Sequence, residues 1–236
     1  MIPNRSHYFY LLGCEKIYSV DISFLTSKER IHTTIKKFIE ANDKALLNKY
    51  FAINENRSEQ LISLNNSIDS ISLEELILKL NLEYLIQDAR HLELPDNSVD
   101  LVNSNNTFEH IYPEILFSIL KDFKRVVNKE HGVMSHFIDM SDHFAHFDKS
   151  INIYNFLQFS DKQWYWIDNS IQPQNRLRID DYKLIYKNLD IPISAESFRE
   201  GRMNELKAIK LNDKFLEKPL ETIAISHCHF ISKMGK

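Results

Sequence analysis

Two short, largely apolar runs, at 82–86 (LEYLI) and 99–102 (VDLV), constrain this chain more than any other feature. Each is too short for a typical buried helix, and each passes directly into polar residues, the pattern of a buried strand entering a loop. Between them, Leu94-Pro95-Asp96-Asn97-Ser98 carries turn chemistry: proline fixes φ, and Asp and Asn accept local backbone bonds. In an open parallel sheet, ligands bind outside the carboxyl ends of the strands. Asp88 and Ala89 follow the first run, and Asn103 to His110 follow the second as a polar loop. Both segments are therefore expected to line one crevice.

Helical patterns alternate with further strand-like runs, which predicts an α/β fold. Residues 4–12 read as a short helix with Gly13 just past its end, and 16–20 as a strand ending in Asp21-Ile22-Ser23. Helix, glycine, strand and acid form the second half of a βαβ unit. The first strand and its Gly turn belong before Pro3, so the fold is expected to be N-terminally incomplete. Residues 27–50 predict a helix, with Ser27 as N-cap and Ile31, Ile35, Phe38 and Ile39 at helical spacing. Residues 51–72 are rich in Asn, Ser and Glu. Ser72 with Glu75 resembles a helix start, and that helix runs to about Leu80. A crossover between Asp21 and Asp88 does not need so many residues, so 43–80 is predicted to be an insertion within a single domain spanning 1–236.

Residues 113–128 form the strongest amphipathic helix, with Pro113 in the first turn and Ile115, Leu116, Ile119, Leu120, Phe123, Val126 and Val127 on its apolar face. Lys124, Arg125 and Lys129 favour its C-terminal end through the helix dipole. A strand at 133–138, an aromatic irregular stretch at 151–176 and a helix at 180–189 follow. Strands at 193–198 and 220–233 are expected to close the sheet as an antiparallel hairpin. The sheet as a whole is predicted to be mostly parallel and Rossmann-like.

Composition bounds the function. The net charge is −4 and the basic residues are dispersed, so the chain lacks the footprint of a duplex nucleic-acid binder. Cys14 and Cys228 give no disulfide framework, and a reducing cytoplasm is the expected compartment. No apolar run is long enough for a membrane span. Gly13, Gly132, Gly201 and Gly235 are too scattered to build a Gly-rich phosphate loop.

The order of elements and acids resembles the class I (Rossmann-like) S-adenosylmethionine-dependent methyltransferases, over roughly 8–188 plus the final hairpin. DARHLELPDNSVDLV followed by NSNNTFEHI carries most of the likeness, and GCEKIYSVDIS is similar to the family's second strand with its ribose-binding acid. More narrowly, DMSDHFAHFDKSINIYNFLQFSDKQW and NRLR look like the methyltransferases found among bacterial surface-polysaccharide genes. The missing first strand and Gly-x-Gly loop depart from the family pattern. The resemblance implies S-adenosylmethionine as cofactor. Asp21, with Ile22 beside it, would accept the ribose hydroxyls; Asp88 would accept the adenine amine, and the Ala89 amide would donate to a ring nitrogen. Asn103, Ser104 and Asn105 would lie under the methionine part. Glu109 and His110 would support the loop or move a proton.

Asp139, Asp142, His143, His146 and Asp148 form the richest polar cluster. His143 is the expected general base with Asp142 beside it, because imidazole titrates near neutral pH and methylation of a hydroxyl or amine releases a proton. His143 and His146 at i, i+3 with flanking carboxylates suit a divalent ion. No HExxH pattern or cysteine joins them, however, and no metal is expected. Tyr154, Phe156, Trp164 and Trp166 could cover an acceptor sugar or the sulfonium, or simply fill the core. The expected reaction is methyl transfer to an oxygen or nitrogen of a small-molecule or saccharide acceptor. The alternative is a methyltransferase-like binding or regulatory module that has lost catalysis. A sheet lacking a strand also carries an expectation of self-association.

Overall fold

The computed structural model describes residues 6–43, 49, 52–169 and 172–235. The chain divides into two compact units, Met1–Ala89 and Arg90–Lys236.

In the first unit, helix α1 (Ser6–Leu11) ends at Gly13, whose φ of 91° is left-handed. The Gly13 N–H donates to Tyr10 O and the Cys14 N–H to Phe9 O, each at 3.0 Å. That is a two-bond C-terminal cap, and glycine takes its conformation without a Cβ penalty. The expected start of this helix, residues 4 and 5, lies outside the described residues. Strand β1 (Ile17–Asp21) pairs in parallel with β2 (Leu82–Ile86), with Ile17 opposite Leu82 and Asp21 opposite Ile86. Helix α2 (Lys28–Asp43) begins as expected at Ser27, whose Oγ accepts from the Arg30 N–H at 3.3 Å. It buries Ile31, Ile35 and Phe38. Its expected continuation through 44–48 and 50 lies outside the described residues.

Helix α3 (Glu55–Ser67) lies in the polar stretch that gave no clear helical pattern. Asn54 caps it by accepting from the Arg57 N–H at 3.1 Å. Only Leu61 and Leu64 mark its buried face, and the surrounding Asn, Ser and Glu dilute the periodicity. Helix α4 (Leu73–Lys79) is capped by Ser72 as expected, its Oγ accepting from the Glu75 N–H at 3.1 Å. Leu61, Leu64, Ile68 and Leu76 share one core with Ile17, Ile31, Ile35 and Leu82, so the stretch read as an insertion supplies much of this unit's apolar centre.

The second unit holds a sheet of β3 (Leu101–Asn105), β4 (Val133–Asp139), β5 (Ala195–Arg199) and β6 (His227–Lys233), in the order β3-β4-β6-β5. β3 and β4 are parallel, and β6 runs antiparallel to both β4 and β5. The fold is α/β with mixed sheets, and the closing hairpin is present. Asn103, Ser104 and Asn105 are not loop residues, as their polarity had suggested. Each has a ladder partner on β4, the Asn103 amide donates to Ser135 O at 3.0 Å, and the Ser104 hydroxyl meets His136 Nδ1 at 2.7 Å. Backbone pairing thus overrides side-chain polarity, and the loop begins at Asn106.

Helix α5 (Pro113–Val126) buries Leu116, Ile119, Leu120 and Val126, whereas Ile115, expected on that face, is exposed. Arg125 does more than complement the helix dipole. Its guanidinium donates to Leu92 O and Leu94 O, each at 2.8 Å, and pairs with Asp122, tying the turn before β3 to the helix. The aromatic stretch contains α6 (Asp161–Ile167), with a capping box between Ser160 and Gln163. Helix α7 (Ile179–Asn188) stands where a helix was expected. Two short helices follow, α8 (Met203–Lys207) and α9 (Asp213–Leu216). Residues 220–233 are not one strand: α10 (Leu220–Ala224) precedes β6 and turns Ile223 and Ala224 into the core. Tyr154, Phe156 and Trp164 are buried with Leu206, Phe215 and Ile223, so these three rings build core rather than cover an acceptor, while Trp166 is exposed. No helix of the described residues is long and apolar enough to cross a membrane.

Candidate functional site

The predicted site residues fall in both units. In the first, parallel pairing of β1 with β2 brings Asp21, Ile22, Asp88 and Ala89 to one end of the two strands, where the Gln87 N–H donates to Asp21 O at 3.0 Å. Asp21 Oδ1 accepts from the Ser23 N–H at 3.1 Å, so part of this carboxylate shapes the turn after β1. Ile22 is 81% exposed, and Asp88 is also exposed. These are surface groups on a rigid strand end, a placement that suits hydrogen bonding to a ligand without a large desolvation cost.

In the second unit the carboxyl groups of Glu109, Asp139 and Asp142 are buried, and His110 and His143 are half-buried. Glu109 and His110 sit on a 3-10 turn, Phe108–His110, that is pinned from both sides. Phe108 enters the core and stacks on His136, with ring centroids 4.5 Å apart. Asn175 donates through Nδ2 to Phe108 O at 2.7 Å and to Ile111 O at 2.8 Å, and its N–H donates to Glu109 O at 2.9 Å. Glu109 is 3% exposed, and neither carboxylate oxygen has a hydrogen-bond partner. Burial pushes its carboxyl up to about 8, with the nearby Asp139 charge adding to the effect. His110 Nδ1 lies 2.8 Å from Pro173 O, which can only accept, so this nitrogen carries the proton and Nε2 keeps its lone pair. Burial lowers the His110 pKa, favouring the neutral ring.

Asp139 ends β4, and the antiparallel register sets His227 of β6 directly opposite it. Its Oδ1 accepts from the Ser141 N–H at 2.9 Å and the Ser141 hydroxyl at 2.6 Å. Its Oδ2 lies 3.5 Å from His143 Nε2 and 3.4 Å from His227 Nε2. Burial opposes ionisation of Asp139, but the two imidazoles and Ser141 win and hold it well below the usual carboxylate range. Asp139 and Glu109 are thus shifted in opposite directions, Asp139 toward the charged form and Glu109 toward the protonated one.

Asp142 is fully buried and caps the 3-10 turn His143–His146, accepting from the Phe144 N–H at 2.9 Å and from Asn155 Nδ2 at 3.3 Å. Burial raises its pKa. Its visible work is to aim His143. The His143 N–H donates to Gln174 Oε1 at 3.1 Å, the ring packs against that of His110 with centroids 4.8 Å apart, and Nε2 makes no hydrogen bond. His146 and Asp148 are exposed.

Asn103, Ser104 and Asn105, expected beside the cofactor, lie along β3, with Ser104 bonded to the buried His136. The site also contains residues the sequence reading passed over. Ser141 and His227 surround Asp139, and Gln174 and Asn175 hold the two 3-10 turns. The NRLR string, which begins at Asn175, was visible as a motif. Its remaining cations are structural: Arg176 donates to Phe156 O at 3.0 Å and pairs with Asp161, and the fully buried Arg178 donates to Met140 O at 2.6 Å and Ile223 O at 2.7 Å. A cavity of about 660 Å³ opens beside this cluster, lined among others by Ser141, His146, Asn152, Arg199, Arg202 and His227.

Residues 47–134 match the family model described as a methyltransferase domain. A search of curated proteins finds no match. Solved structures with a similar fold include a putative methyltransferase from Bacillus halodurans C-125, 11% identical, covering 94% of this chain and 84% of that one with a TM-score of 0.45. An S-adenosylmethionine-dependent methyltransferase from Archaeoglobus fulgidus is 14% identical, with coverages of 97% and 90% and a TM-score of 0.43. Another from Methanosarcina mazei is also 14% identical, with coverages of 75% and 78% and a TM-score of 0.43. The methyltransferase class expected from the sequence agrees with the domain match, which begins past the end of α2 and reaches the start of β4.

Proposed function

We propose that this chain transfers the methyl group of S-adenosylmethionine to an oxygen or nitrogen of a small polar acceptor, a saccharide first among them. Asp21, Ile22, Asp88 and Ala89 would hold the nucleoside. The observation that carries the reading is the cluster of buried Asp139 and Glu109 with half-buried His143 and His110, whose Asp139 contacts Ser141 and His227 also line a polar cavity. His143 acts as general base. As the acceptor oxygen attacks the methyl carbon, the carbon–sulfur bond breaks toward sulfur, S-adenosylhomocysteine leaves, and the acceptor proton passes to His143. The resulting imidazolium lies beside the ionised Asp139. In-line approach makes positioning a large share of the catalysis, and Asp142, Gln174 and Asn175 supply it by fixing the two turns.

The cavity lining of hydroxyl, amide, imidazole and guanidinium groups suits a polyhydroxylated acceptor and supports the narrower surface-polysaccharide reading. Two free cysteines accord with a cytoplasmic setting. Each strand of the two-stranded β1–β2 sheet leaves an edge unpaired by a described strand, which favours self-association. The test supplies radiolabelled S-adenosylmethionine with sugars, sugar nucleotides and amines, and follows label and S-adenosylhomocysteine. Transfer to a sugar hydroxyl that is lost in His143→Ala supports the proposal. Cofactor binding with no acceptor-dependent turnover across the panel would make the chain a binding module instead.

A further inference from the structure

We propose that Glu109, His110 and His143 form a binding site for one first-row divalent cation, through which such an ion regulates the proposed base. The three side chains each bring one ligand atom within 4.8 Å of the others, so small torsional shifts suffice to converge on one ion. The sequence pointed to a different set, in which His146 and Asp148 are exposed. The structure substitutes two ligands from a separate turn.

Three independent features favour this trio. Glu109 is 3% exposed and neither of its oxygens makes a hydrogen bond, so a buried carboxylate stands ready for a partner. His110 donates its Nδ1 proton to Pro173 O at 2.8 Å, which fixes the ring and leaves Nε2 free to coordinate. A backbone carbonyl holding the far nitrogen of a ligating histidine is a recurrent outer-shell arrangement. His143 Nε2 is buried and makes no hydrogen bond, while its Nδ1 lies 3.3 Å from the Gln172 side-chain amide, whose oxygen can accept after a flip. The neighbouring set of Asp139, His143 and His146 is weaker, because Asp139 already holds Ser141 and His227 and His146 faces solvent. Two imidazoles and one carboxylate suit zinc, cobalt or iron better than magnesium or calcium, and three protein ligands leave room for a further one.

The inference rests on the proposed role of His143 and adds a consequence: a nitrogen bound to a cation cannot accept a proton, so the loaded site is switched off for methyl transfer. The test uses the full chain after chelation. Cobalt(II) is titrated while its visible d–d absorption is followed, and zinc is titrated by calorimetry. The expected result is one saturable ion per chain, weakened on the order of 100-fold in Glu109→Gln and in His143→Ala. His131→Ala, which removes an exposed histidine paired with Asp100, should bind as wild type does. Circular dichroism confirms that the variants fold, and His110→Ala provides an independent ligand deletion should one of them fail. No saturable binding, or binding that survives all three ligand substitutions, overturns the inference. S-adenosylmethionine binding to the chelated chain is measured in parallel. If the cofactor binds and the cation does not, only this inference falls; if the cofactor itself fails to bind, the methyltransferase reading falls.

Discussion

The two units use acidic residues in opposite ways. At the β1–β2 end, Asp21 is partly exposed and Asp88 exposed. Around β4, Glu109 and Asp139 are buried, the first with its pKa raised and the second with its pKa lowered, among imidazoles fixed by hydrogen bonds. Exposed acids cost little to maintain and suit reversible recognition of a ligand's hydroxyls and amines. Buried ones are costly unless something uses or compensates them. Under the proposed function the first region is the binding edge and the second the place of chemistry. Substitutions should separate the two: at the first edge they change affinity alone, and in the second unit they change stability or turnover.

The largest expected effect concerns His136, fully buried on β4, whose pKa burial lowers to about 3, with His229 adding to the effect. A histidine that folds as the neutral ring contributes stability that is fully present above its unfolded pKa and is lost as pH falls toward the folded value. Between pH 7 and pH 4 the wild-type chain should lose on the order of 3 kcal/mol more than His136→Leu, as measured by urea unfolding. Parallel curves would show that His136 is protonated in the fold. Next, His143→Ala should lower turnover by about 10²-fold, roughly 2.7 kcal/mol of barrier, with S-adenosylmethionine affinity unchanged. Equal rates at every pH would reduce His143 to a wall residue. The smallest effect belongs to the first unit, where Ser72→Ala removes the α4 cap and should cost about 1 kcal/mol. A loss several times larger would mean that α4 holds more of this unit together than its single buried residue, Leu76, indicates.

Much of this was legible in sequence because the signals were local. Pro113, Ser72, Gly13 and Ser27 mark element ends through chemistry confined to one turn, and the apolar runs at 82–86 and 133–138 became β2 and β4 nearly residue for residue. What was missed depends on partners far along the chain. The polar segment 103–105 reads as loop until β4 supplies its ladder. The leucines of α3 read as scattered until β1 and α2 supply a core to bury them. The candidate site shows the same division. His143 and Glu109 were visible as reactive types near strand ends. Their meeting required Asn175 and Pro173 to hold one turn and Gln174 the other, and His227 reaches Asp139 only through the register of a strand whose start was misplaced.

Under the proposed function the nucleoside binds at the β1–β2 end and the chemistry occurs around β4, a division that calorimetric titration of S-adenosylmethionine into wild type, Asp21→Ala and His143→Ala can break. Asp21→Ala should weaken binding by roughly 1.5–3 kcal/mol, the scale for losing hydrogen bonds to a charged group. Its melting temperature without cofactor should be nearly unchanged, because the side chain is partly exposed, and His143→Ala should bind as wild type does. Unchanged affinity in Asp21→Ala, or a loss confined to His143→Ala, would contradict it and move the cofactor away from the β1–β2 end.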